Sequence, residues 1–356
     1  NPLFSDSVYI DRLSRIPAIM EMPYNDIIRK FIDMYAGRLR NQVSFMLSAC
    51  NFYMPIFEEA LDAYGLPLEL RYLPIIESAL NPSAVSRAGA SGLWQFMIGT
   101  GKIYGLESNS LVDERRDPIK ATWAAARYLK EMYDIYGDWN LVIAAYNCGP
   151  GTINKAIRRA NGETDYWKIY NYLPKETRGY VPAFIAANYV MTYYCDHNIC
   201  PMETNIPAST DTVQVNKNLH FEQIADLCNV PLDQIKSLNP QYKKQMIPGD
   251  SKPYTLRLPI DAISTFIDKQ DTIYAHRADE LFRNRKTVAI KEITPSTRKT
   301  TTAVAGKGKL TYYTIKSGDT LSTIAGKYGV TIKDIQRWNG MSNTKIAAGK
   351  RLKIYK

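Results

Sequence analysis

The sequence holds 356 residues, 45% of them hydrophobic, with a formal net charge of +10. That length exceeds one ordinary core and predicts two or three domains. No run of about 18 apolar residues occurs, which excludes a membrane-spanning helix. Five cysteines, Cys50, Cys148, Cys195, Cys200 and Cys228, are too few and odd in number for a disulfide framework.

The chain starts at Asn1 without methionine or signal sequence, which reads as a processed or trimmed form whose export signal or lipid anchor lies out of view. From about Pro23 to Tyr194 apolar residues recur at three- and four-residue spacing, and strand-like alternation is nearly absent, so this part predicts an all-α domain. Asn25 is placed to cap a first helix through Met34. A lone carboxylate, Glu77, then follows the apolar run Leu73-Pro-Ile-Ile and precedes Ser78. Such a group either points to solvent or sits in an apolar pocket, where desolvation favours the protonated form and makes a general acid. The same physics operates in lysozyme, whose acid is poised by a hydrophobic wall. Next comes Ser86 to Met97, where Gly89, Ala90 and Gly92 permit a tight turn before Trp94, Gln95, Phe96 and Met97. An amide among aromatic rings suits a sugar, although a glycine-broken helix with buried rings fits the same letters.

Asp117 and Pro118 start a helix that Gly137 stops after Tyr136. A further helix ends at Tyr146, Asn147 and the turn Gly149-Pro150-Gly151, and both polar side chains need partners if buried. Cys195 and Cys200 could close a small disulfide or, with His197, offer metal ligands. No fourth ligand stands nearby, so neither a metal nor a cofactor is expected. Two stretches then align without gaps, Phe221 to Asn239 and Leu321 to Asn339. Each is flanked by alternating segments, Thr255 to Leu258 after the first, Tyr312 to Ile315 and Arg351 to Ile354 around the second. The order is strand, two helices, strand, and it predicts two copies of one small α+β unit. Pro259 to Lys286 reads as a connecting segment, with a strand or helix that packs back on the earlier domain, and 287–309, rich in Thr, Lys, Gly and Ala, as a flexible linker.

The basic charge is concentrated at the end. Residues 283–356 carry 17 Lys and Arg against 3 Asp and Glu, hence +14, and the first 282 residues carry −4. No nucleic-acid motif accompanies this tail, so an anionic wall or lipid surface is the expected attraction and nucleic acid is not. The 25 tyrosines suit a carbohydrate-handling surface and a helical core equally well.

Taken together, Glu77-Ser78, Gly92-Leu-Trp-Gln-Phe-Met97, Ala144-Ala-Tyr-Asn-Cys-Gly-Pro-Gly151 and Glu176-Thr-Arg-Gly-Tyr-Val181 resemble, in this order, the lytic transglycosylases, in the branch of membrane-bound lytic murein transglycosylase D. Val112 to Pro118 also matches that branch. Ile98 and Cys148 depart from it, where proline and alanine are frequent. Tyr313 to Leu321 with Trp338-Asn339 resembles a LysM module. The first repeat has Asn216 to His220 in place of the Ser-Gly-Asp-Thr pattern, and is expected to bind sugar poorly.

The resemblance implies a lysozyme-like catalytic domain over 1–205, a degenerate LysM-like module over 206–260, a connector over 261–310 and a LysM module over 311–356. It implies Glu77 as catalytic acid and base, with Ser78, Gln95, Phe96, Met97, Tyr146, Asn147 and Tyr180 lining the cleft. Gly318, Asp319 and Thr320 would meet sugar in the LysM module. The implied reaction cuts peptidoglycan between N-acetylmuramic acid and N-acetylglucosamine and leaves a 1,6-anhydro ring. A hydrolytic muramidase and a catalytically silent wall-binding protein are the alternatives. The implied setting is periplasmic, at the outer membrane through a lipid anchor, as a monomer.

Overall fold

The structure, a computed structural model, describes residues 2, 4–204, 206–282, 310–316, 319–339, 341 and 346–355. The chain forms two compact units, 1–293 and 294–356. The expected linker over 287–309 and Gly318 lie outside the described residues.

The first unit opens with eleven helices among the described residues: α1 (Asp6–Ser14), α2 (Asp26–Ala36), α3 (Arg40–Ala63), α4 (Leu73–Ser78), α5 (Ile98–Ile103), α6 (Pro118–Tyr136), α7 (Trp139–Cys148), α8 (Pro150–Arg159), α9 (Tyr166–Ile169), α10 (Lys175–Arg178) and α11 (Tyr180–Tyr193). Local chemistry sets the ends. The Asn25 side chain accepts from the Ile27 and Ile28 amides at 3.0 Å, and Asp117 does the same for Ile119 and Lys120 with Pro118 in the first turn. Helix α11 is apolar around its whole circumference, from Val181 through Ala186 to Met191, because it runs through the core and packs against α2, α4 and α7. That central position sets the site, for the start of α11 meets the end of α4.

The same unit continues with β1 (Thr210–Val215), β2 (Asn218–His220), α12 (Phe221–Cys228), α13 (Leu232–Leu238), β3 (Met246–Pro248), β4 (Tyr254–Pro259), α14 (Ile260–Asp268), α15 (Gln270–Ala275) and α16 (Ala278–Leu281). Strands β1 and β4 pair antiparallel from Thr210 opposite Pro259 to Val215 opposite Tyr254, and β2 pairs with β3. The strand, two helices, strand order expected from the repeat is present, with a short inner pair added. Phe266 of α14 and Ile273 of α15 are fully buried in this core, so the stretch expected as a connector contributes to the module. Leu111 and Val112 of the helical region enter the same core and join the two parts.

The second unit has β5 (Leu310–Thr314), α17 (Leu321–Tyr328), α18 (Ile332–Asn339) and β6 (Arg351–Tyr355), with β5 and β6 antiparallel. Ile315, Leu321, Ile324, Ile335, Trp338, Leu352 and Ile354 form its core. Among the described residues no helix is long and apolar enough to cross a membrane.

Candidate active site

Glu77 sits in the last turn of α4, and the chain leaves that helix through Ala79 (φ +52°) and Leu80 (φ +59°). Two successive left-handed residues with side chains are costly, about 1–2 kcal/mol each, and such strain gathers at functional sites. Leu80 is anchored in the core and holds the turn. The turn is tied again by Ser78, whose hydroxyl donates to the Pro74 carbonyl at 3.0 Å and the Leu93 carbonyl at 2.9 Å. Ser78 thus braces the glutamate against the loop that follows.

The Glu77 carboxyl accepts a hydrogen bond from the Tyr180 hydroxyl at the first residue of α11. Burial pushes its pKa up from the ordinary 4.5 to about 7; the Tyr180 bond opposes this and the charge of Glu176 adds to it. Burial, with the charge of Glu77 nearby, also holds the Tyr146 and Tyr180 phenols well above their ordinary value, so both remain donors at any physiological pH.

Two depressions meet at this carboxyl. One, of about 520 Å³, is lined by Glu77, Gln95, Met97, Tyr128, Asn147 and Glu176 among others. The other, of about 380 Å³, is lined by Gln42, Ile76, Glu77, Ser78, Val85 and Gln95 among others. Glu77, Ser86 and Gln95 border both. The acid therefore stands midway along a trough, where a polymer can lie across it. A larger, mostly apolar groove of about 840 Å³, lined by Phe45, Phe52, Asn81, Pro231 and Gln234 among others, lies apart from Glu77. It holds no buried acid, and the smaller trough has the chemistry.

The structure brings together all the residues expected in the catalytic cleft. Gln95 adopts φ +48°, with its amide nitrogen donating to the Gly92 carbonyl at 2.8 Å and the Ala84 carbonyl at 3.3 Å. Met97 is exposed on the wall, whereas Phe96 is buried among Tyr104, Tyr128 and Tyr146 and shows the trough little of its ring. The Tyr146 hydroxyl donates to the Trp94 carbonyl at 2.7 Å, and Asn147 accepts from Thr177 at 2.9 Å. Trp94 is the correction. Its ring is fully buried and its indole N–H donates to Thr122 at 2.9 Å, so it supports the loop from beneath and offers no face to sugar.

Sequence reasoning overlooks Ser86, Tyr128, Glu176 and Thr177 on the trough wall. Glu176 and Thr177 open the motif that ends at Tyr180 and Val181, so a signal exists for them. Tyr128 lies mid-helix in α6 and has none.

The loop conformation depends on one glycine. Gly92 has φ +89°, and a Cβ added there would lie 1.7 Å from the Arg115 carbonyl oxygen. Gly92→Ala is therefore expected to cost at least about 2 kcal/mol in urea unfolding, by strain and by forcing the loop off Arg115. A loss under about 0.5 kcal/mol would contradict the packing described.

Outside the cleft, Asp319 accepts from the Tyr313 hydroxyl and the Lys316 amide, both at 2.8 Å, and Thr320 caps α17. Their side chains serve the turn. Cys195 and Cys200 are free thiols, and the His197 ring packs against Phe4 and Tyr189. Among the described residues no group of three or more His, Cys, Asp or Glu is placed to hold a metal.

The chain is similar to known proteins in three separate segments. Residues 54–169 match the Transglycosylase SLT domain, 209–275 the LysM-like domain of lytic transglycosylase MltD, and 313–354 the LysM domain. Membrane-bound lytic murein transglycosylase D of Escherichia coli is 32% identical over 341 residues, 94% of this chain and 70% of that protein. The soluble lytic murein transglycosylase of E. coli is 33% identical over 124 residues, 33% of this chain and 19% of that one. The crystal structure of the 70 kDa soluble lytic transglycosylase of E. coli matches 40% of this chain and 24% of its own at 29% identity, with a TM-score of 0.35. The domain content is that of a lytic transglycosylase with LysM modules. Within that class, the chain belongs to the family of membrane-bound lytic murein transglycosylase D.

Proposed function

We propose that this protein cleaves the β-1,4 bond between N-acetylmuramic acid and N-acetylglucosamine in peptidoglycan, with Glu77 as both acid and base. The reading is carried by one observation: a carboxyl bonded to the Tyr180 hydroxyl where two depressions meet; burial, which raises its pKa to about 7, suits it to give and take a proton. Protonated Glu77 donates to the bridging oxygen as the bond from muramic acid C1 breaks. The resulting carboxylate, stabilised by the Tyr180 hydroxyl, accepts the proton of the muramic acid C6 hydroxyl while O6 bonds to C1. The ring closes as a 1,6-anhydro sugar, Glu77 is protonated again and no water is consumed. A nucleophile held within the substrate has a large effective concentration. Gln95, Asn147 and Tyr146 orient the sugar or the acid from the walls.

The domain partition proposed is a lysozyme-like catalytic domain, a LysM-like module docked on it, and a terminal LysM module whose first loop, through Gly318, Asp319 and Thr320, binds glycan by its backbone. Glycan strands are the partner. A periplasmic site at the outer membrane, through a lipid anchor, fits the membrane-bound relative.

A second reading has support in Glu176, which lies on the trough wall and supplies a second carboxylate for activating water. Mass spectrometry of products from purified sacculi separates the two. Transglycosylation gives muropeptides lighter by one water than their hydrolytic counterparts, and products carrying the full mass would establish the muramidase instead.

A further inference from the structure

The loop that carries Gln95 is held from behind by arginine side chains. Arg115 is buried, and its guanidinium donates to the Gly89 and Phe96 carbonyls, each at 2.9 Å. Those two carbonyls flank the segment that contains Gly92 and Gln95. Asp113 aims the guanidinium with a two-point contact at 2.9 and 2.8 Å, and Arg116 adds a bond to Ser91 at 3.1 Å. Two adjacent arginines thus grip the back of one cleft loop.

Asp113 is in turn fixed from the module that follows the catalytic region. Its backbone amide donates to the Gln241 carbonyl at 2.9 Å, and the Lys243 amide donates to the Leu111 carbonyl at 2.8 Å. Val112 and Tyr242 form an antiparallel bridge between these bonds. The Lys243 ammonium donates to the Asn109 carbonyl at 2.7 Å and lies 3.9 Å from the Asp113 carboxylate. Lys252 and Tyr254 both reach Glu107 on the same segment, at 2.6 and 3.1 Å. The loop between α13 and β3 is thus committed to protein contact.

We propose that the module over 209–275 is a positioning element of the cleft: Gln241 and Lys243 fix the segment 109–113, Asp113 aims Arg115, and Arg115 sets the loop that presents Gln95. Through Gln241, Asp113 and Arg115 the path is continuous in hydrogen bonds, and these three residues are buried. It rests on reading the trough at Glu77 as the active site. Arg115 and Lys243 touch no substrate, so they are positioning residues.

The test uses the full chain with Lys243→Met, which keeps the aliphatic stem, and Lys243→Arg, which keeps the charge, assayed on uncrosslinked glycan strands. Amide hydrogen exchange of residues 86–96 is measured beside kcat and KM. Lys243→Met is expected to exchange faster in that segment and to lose about tenfold in kcat with KM little changed, because a misplaced cleft acts on the transition state. Lys243→Arg is expected to restore both. Unchanged exchange in the cleft loop would overturn the proposal, as would a raised KM with unaltered kcat, the behaviour of a module that only gathers sugar. Faster exchange with parental kcat would support the mechanical link and overturn the reading of the trough as the active site.

Discussion

Glu77→Gln is expected to lower the rate of glycan cleavage by about a thousandfold while the protein still binds sacculi, because one side chain carries both proton transfers. The amide can still accept from Tyr180, so the fold is kept. The same substitution carries a stability signature with a definite sign. The folded pKa of Glu77 is raised from 4.5 to about 7, so the native state holds a proton that the unfolded chain has released. Its ionisation thus opposes folding: the cost is absent below about pH 4.5, grows up to about pH 7 and is constant above. Glu77→Gln is expected to be more stable than the parent at pH 8, by up to about 3 kcal/mol, with the difference fading towards pH 4. A variant that cleaves at the parental rate, or is less stable at pH 8 than at pH 4 relative to the parent, would remove Glu77 from its assigned place.

Tyr180→Phe is the second large effect. The hydroxyl that is lost donates to the Glu77 carboxyl and stabilises its charged form. Two consequences follow. The carboxylate formed after the first proton transfer loses a charge-assisted bond of about 1.5–3 kcal/mol, which corresponds to roughly a 10- to 100-fold fall in kcat. The Glu77 pKa also rises further, so the alkaline limb of the kcat/KM profile moves to higher pH. A fall in rate with an unmoved limb would mean that Tyr180 acts on the sugar and not on the acid.

Much of this site is legible in the sequence because the residues that build it are local. Glu77 after an apolar run, Gly92 before Gln95, and Tyr146 with Asn147 before a Gly-Pro-Gly turn each declare a strained or capped backbone, and the structure joins all three. Trp94 misleads, since an aromatic beside an amide looks alike whether it faces sugar or core; only the partner Thr122, on α6, decides it. Tyr128 and the Arg115 grip are invisible for the same reason, being contacts between elements far apart in sequence. The helices at 260–275 read as a connector because the face they bury belongs to β1, β4 and α12, and periodicity in one segment does not name its partner.

The claim on which the mechanism depends is that burial raises the Glu77 carboxyl from the ordinary 4.5 to about 7, so that it keeps its proton well above the usual carboxylate range. Titration of the full chain carrying 13C-labelled glutamate, with Glu77→Gln to assign the signal, reads this directly. The account predicts one carboxyl resonance that titrates near pH 7 and is missing from the variant. A Glu77 resonance titrating near 4.5, as an open surface carboxylate does, would contradict it.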